Sequence, residues 1–121
     1  MSQPATYNWE PNTQGDTFYA KRFGPVTNSA GPINLSSAYI RMHIRSPGRD
    51  KVLYREFDSS STDPTTKITI GGTDNNEFTI PEFAIDKPGS YEYSIEVTID
   101  GFVRTWIEGV IKITGDATHD E

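Results

Sequence analysis

The chain has no cysteine, which excludes a disulfide framework and any thiolate metal site. It has only two histidines, His43 and His119. They lie far apart, and neither has an acid or nucleophile at a spacing that would build a catalytic pair. No apolar run approaches the ~18 residues of a membrane-spanning helix. The opening MSQPATYNWEP has neither a basic start nor an apolar centre, so no secretory signal is expected and synthesis in the cytoplasm fits. Positive charge is also short, with 11 Lys and Arg against 17 Asp and Glu for a net charge of −6. Residues 1–57 carry seven basic and four acidic side chains (+3), and residues 58–121 carry four basic and thirteen acidic (−9). Such a chain is a poor general binder of nucleic acid, and its acidity serves mainly solubility. Neither nucleic acid nor a membrane is an expected partner.

What is present is enough for one core. A chain of 121 residues buries roughly two-thirds of its unfolded surface. At 34% apolar, 12% aromatic and 23% charged, it suits strands that show one face to water. The organising stretch is 89–114, GSYEYSIEVTIDGFVRTWIEGVIKIT. Tyr91, Tyr93, Ile95, Val97 and Ile99 alternate with polar residues, the period of a half-buried strand. Asp100-Gly101 is a hairpin signal, and Val103, Thr105, Ile107, Gly109, Ile111 and Ile113 form the facing set. A two-residue turn sets Ile95 opposite Trp106 and Tyr93 opposite Glu108, which buries a charge. A three-residue loop sets Val97 opposite Val103 and Tyr93 opposite Ile107, and both apolar faces then coincide. The second register is the expectation.

Three regions follow. Residues 1–14 are polar around Tyr7 and Trp9 and read as a loosely held arm, with a short strand possible at 6–9. Residues 15–114 hold seven or eight short strands with turns every eight to twelve residues and no helical periodicity. That pattern means an all-β, antiparallel β-sandwich. Within it, 38–46 is a strand with Ile40, Met42 and Ile44 inward. The register of 51–57 is ambiguous, 58–66 is a polar loop with nothing to hold it, and 81–86 allows one helical turn behind Pro81. Residues 115–121 form a frayed acidic tail.

No constellation of acids, bases and nucleophiles suggests an enzyme, and no pattern calls for a cofactor or metal. The carboxylates at Asp58–Asp63 and Asp74–Glu77 lack calcium-loop spacing and read as turn chemistry. The residues that stand out are aromatic. Trp106 points away from the Ile107 face, where it can anchor a partner, stack on a sugar, or be covered by the arm. Tyr39 is outward on its strand. Tyr7 and Trp9 are costly rings for a solvated tail, and they suit either a segment that docks on a neighbour or one that closes the protein's own sheet.

Tyr91, near the start of the long penultimate strand, sits where a tyrosine corner occurs in immunoglobulin-like domains. Three stretches then carry a resemblance: GDTF (15–18), GPINLSSAYIRMHIRS (31–46) and GSYEYSIEVTIDGFVRTWIEGVIKIT (89–114). In order and spacing they resemble a family of small tailed-phage and prophage structural proteins, typified by the N-terminal domain of the baseplate upper protein. The resemblance covers Gly15 to Thr114. It implies an immunoglobulin-like sandwich of seven to eight strands in the virion, on the tail, baseplate, neck or capsid. Its partners would be other virion proteins, with several copies in a symmetric assembly. A glycan-binding module that uses Trp106 and Tyr39 is the alternative.

Overall fold

A computed structural model describes residues 5–28, 30–48 and 52–115. Residues 1–4 of the expected arm and 116–121 of the expected tail lie outside the described residues. The described chain is all-β, with no helix among those residues. Its strands are β1 (Ala5–Thr6), β2 (Asn12–Thr13), β3 (Thr17–Phe18), β4 (Lys21–Phe23), β5 (Thr27–Asn28), β6 (Gly31–Pro32), β7 (Tyr39–Arg45), β8 (Leu53–Asp58), β9 (Thr69–Gly71), β10 (Glu77–Ile80), β11 (Phe83–Ala84), β12 (Gly89–Ile99) and β13 (Phe102–Thr114). The largest sheet runs β1-β13-β12-β7-β8, with β2 also on β13. Three smaller antiparallel sheets are β4-β10-β9, β11-β3 and β5-β6.

The hairpin β12–β13 takes neither expected register. Its turn has two residues, Asp100 and Gly101, with φ of 54° and 84°. Both are left-handed, as the mirror-image turn that matches strand twist requires. The pairing begins Ile99↔Phe102 and Thr98↔Val103, then slips between Ile95 and Glu96 to give Ile95↔Ile107, Tyr93↔Gly109 and Tyr91↔Ile111. A bulge at Trp106 absorbs one residue. It prevents the mismatch that would have buried Glu108, and it reverses the alternation. Ile111 and Ile113 are therefore buried, while Val103, expected inward, is exposed.

β7 alternates as expected, with Ile40, Met42 and Ile44 fully buried. β8 resolves its ambiguity with a second irregularity between Ile44 and Arg45. Phe57 is buried, Tyr54 lies against the Tyr91 ring at 5.1 Å, and Leu53 is left exposed.

Rings from two of the smaller sheets, β11-β3 and β4-β10-β9, pack into the same core as the buried side chains of the large one. Phe83 of β11 meets Trp9, Phe18 and Phe57, and Phe23 of β4 meets Tyr7, Trp9 and Phe78. Two local expectations are overturned. Segment 81–86 is extended, because Phe83 and Ile85 are both buried and only a two-residue period points them the same way. Segment 58–66 is tied down by its own side chains. Asp58 accepts from the Ser60 amide and hydroxyl, Asp63 does the same for Thr65, and Lys67 Nζ donates to the Ser59 carbonyl at 3.0 Å.

The expected loose arm is built into the fold from residue 5. β1 and β2 run parallel to β13, pairing Ala5↔Ile107 and Ile113↔Asn12. Between them the Tyr7 and Trp9 amides donate to the Glu108 and Val110 carbonyls at 3.0 and 3.1 Å. Trp9 is only 7% exposed. The parallel pairing protects the edge of the longest strand.

Candidate functional site

The arm is seated at Gly109. An added Cβ there would fall on the Tyr7 carbonyl, so only glycine lets the two backbones pass. The absent side chain also leaves room for the cross-strand partner Tyr93, whose hydroxyl donates to that same carbonyl. Trp9 packs edge-on against Tyr93 at 4.9 Å, and the Asn8 side chain accepts from the Val110 amide. Tyr7 is half-buried, with Lys21 Nζ 4.8 Å from its ring centre. Of the four aromatic residues singled out in the sequence, this pair belongs to the protein's own core.

Trp106, at the bulge, is half-buried and packs against the core. Tyr39 is half-buried too, on the outer face beside Asp58, Arg41 and Glu56. The structure brings Tyr7 and Trp9 together, with ring centres 5.3 Å apart. The surface rings that stand open are others: Tyr19 at 83% and Phe102 at 72% exposure. Both fall on outward positions of the expected alternation, one just beyond a two-residue strand and one next to the turn.

The outer face of the large sheet is a charge ladder. Arg41 Nη2 lies 3.1 Å from Glu96 Oε1, and His43 Nε2 lies 3.5 Å from Glu56 Oε2. Near it a shallow depression of about 190 Å³ is lined by His43, Arg45, Glu92, Tyr93, Ser94 and Glu108. Among the described residues no group of three His, Cys, Asp or Glu side chains is placed to hold a metal ion. Glu96 faces outward as the strand pattern requires, yet it is an ion-pair partner rather than a bare solvated acid. Glu96→Lys sets two cations together on half-exposed side chains. It should cost about 1 kcal/mol, visible as a lower Tm that recovers at molar salt, where the Debye length falls to about 3 Å.

Two tyrosines set an alkaline limit. Burial, with a smaller contribution from Tyr7, pushes the Tyr93 phenol up. Burial and Tyr54 raise Tyr91, whose hydroxyl donates to the Lys87 carbonyl at 2.9 Å. The fold holds these groups neutral, whereas an unfolded tyrosine titrates near 10. Their contribution is complete below about pH 10 and is lost as pH rises beyond it, by up to about 1.4 kcal/mol per pH unit for Tyr93. Tyr93→Phe should lose about 1 kcal/mol at neutral pH yet decline less steeply above pH 10. Urea titrations across that range measure both.

Comparison of the chain with models of protein families and with curated proteins finds no match in either.

Proposed function

We propose that this chain is a structural protein of a bacteriophage virion, an immunoglobulin-like sandwich that docks on the tail or baseplate through protein–protein contacts. The observation that carries the reading is what the resembling residues do. Phe18 and Leu35 are buried, Tyr91 makes the hydroxyl-to-backbone bond of a tyrosine corner four residues upstream, and Gly109 admits the N-terminal strand. Each of them builds architecture, and none lines a cleft or meets a reacting group. A family recognised by such residues is recognised as a scaffold. The packing of rings from small antiparallel sheets into the core of a larger one supports the sandwich. Trp106 and Tyr39 are half-buried rather than open, which favours docking over the glycan-binding alternative.

The reading is tested with antibody to the purified chain on gradient-purified particles from the host that encodes it. The expected result is the chain in every intact particle at a fixed copy number, decorating one location by immunogold. Particles that lack it while the infected lysate contains it would overturn the proposal.

A further inference from the structure

The arm is joined to the rest of the chain through one turn. There the Asp16 amide donates to the Thr13 carbonyl and the Gly15 amide to the Ile85 carbonyl, both at 2.9 Å. The Asn12 side chain adds two long bonds, of 3.5 and 3.4 Å, to the Asp16 and Thr17 carbonyls. The contacts that seat the arm lie beyond the turn. Its backbone pairs with β13 at Ile107–Glu108 and Ile113–Thr114. Tyr7 and Trp9 lie against Phe23, Trp9 also against Phe83 and Tyr93, and the Asn8 side chain takes the Val110 amide. The strands that form this slot are paired without the arm, β13 on β12 and β4 on β10. Nothing in these contacts requires that arm and slot belong to one chain.

We infer that the slot beside β13 takes the arm of a second copy as well as its own, so that two copies lock together by exchanging residues 5–13. The slot is selective for this occupant. Gly109 leaves room for the Tyr7 backbone, the Val110 amide meets the Asn8 oxygen, and the ring socket fits Trp9. An exchanged pair keeps all of those contacts and loses only the bonds of the two turns, so the swap of an identical element is a low-cost route to a dimer. Opened out, Thr13 to Thr17 spans about 13 Å, enough to bridge two copies that meet at their turns. Gly15, Asp16 and Thr17 are exposed in the single copy, as is Tyr19 just beyond them. No buried surface has to open where the copies meet. Gly15 controls the choice. The turn holds it at φ 83°, and a Cβ there would meet nothing nearer than Asp86 Oδ1 at 3.8 Å. A side chain at this position therefore strains the closed turn through its backbone alone, and an opened turn relieves the strain. The inference does not need the virion reading. Particles that lack the chain would sink that reading alone, and an arm that closes only on its own chain would sink this inference alone.

The chain has no cysteine, so Thr13→Cys combined with Thr114→Cys, a register pair of β2 and β13, reports whose arm fills the slot. Refolded dilute and then oxidised, the chain carrying this pair should close its disulfide internally. Refolded at its highest soluble concentration, it should give disulfide-linked dimers on a non-reducing gel. Gly15→Val should favour the dimer by about 100-fold, tenfold for each of the two turns, with circular dichroism to confirm that it is folded. Gly15→Ala replaces it if it is not. Sedimentation velocity of the natural chain and of Gly15→Val reads the same shift without the cysteines. A natural chain that stays monomeric at every concentration overturns the inference. So does a Gly15→Val variant that dimerises no more readily than the natural chain. Dimers whose disulfides all lie within single chains overturn it too, because such copies associate through another surface.

Discussion

Trp9→Ala is expected to destabilise the protein by about 3–5 kcal/mol, the range for truncating a large buried aromatic. Trp9 is 7% exposed and sits among Tyr7, Phe23, Phe83 and Tyr93. Four edge-on ring contacts surround the void that alanine would leave, and none belongs to a flexible aliphatic side chain that could slide in. Against a typical total of ~5–15 kcal/mol, that loss should lower Tm by about 15 °C. Glu10→Ala, on the exposed neighbour, is the control and should stay within about 0.5 kcal/mol. Removing residues 1–14 should be at least as harmful as Trp9→Ala, because it also strips the edge of β13. A truncated chain that melts like the intact one would mean that the arm is an appendage after all.

The arm was misread in the sequence for a definable reason. Segment 5–13 has no period, since it joins the sheet through two separate two-residue strands and holds the intervening stretch by Tyr7, Trp9 and the Asn8 side chain. Its pairing partner lies some hundred residues away, where no local pattern can announce it. Two buried or half-buried rings in a polar segment were the legible signal, and they fitted self-closure as well as docking. By contrast β7, β12 and the inner half of β13 were legible because one face of each is core along its length. The tyrosine at the start of β12 was readable for the same reason, since a fixed offset on a long strand places Tyr91 against Lys87.

The hairpin shows where a correct physical criterion selects a wrong geometry. Coincidence of the two apolar faces was the right demand. Loop length is one device that meets it, and a bulge is another. The fold uses the tight turn that Asp100-Gly101 favours locally and corrects the parity five residues beyond Gly101, at Trp106. Local turn chemistry and the global face requirement are thus both satisfied. The consequence reaches the surface: Phe102 and Val103, on the turn side of the bulge, are the side chains left in solvent.

Gly109→Val should be as costly as losing the arm, and the reason is separable from a general dislike of side chains at glycine. Gly109 is not at a left-handed φ among the described glycines, so the backbone of β13 tolerates valine by itself. What does not tolerate it is the Tyr7 carbonyl, which a Cβ would meet directly, with the Asn8 side chain 3.0 Å away on the same side. β13 is held on its other side by β12 along its length and cannot retreat, so the arm must. The move breaks the Tyr7 and Trp9 amide bonds to β13, the Asn8 bond to Val110 and the Tyr93 hydroxyl bond, and it draws Trp9 out of its socket. We expect about 3–5 kcal/mol, a red-shifted tryptophan emission as Trp9 meets water, and new protease sensitivity before residue 14. A double-mutant cycle decides the mechanism. If Gly109→Val acts by releasing the arm, Trp9→Ala removes interactions that are already lost. The double variant should then be less destabilised than the sum of the singles by at least about 1 kcal/mol. Additive losses would mean that valine damages the β12–β13 ladder itself and that Tyr7 and Trp9 remain docked beside it.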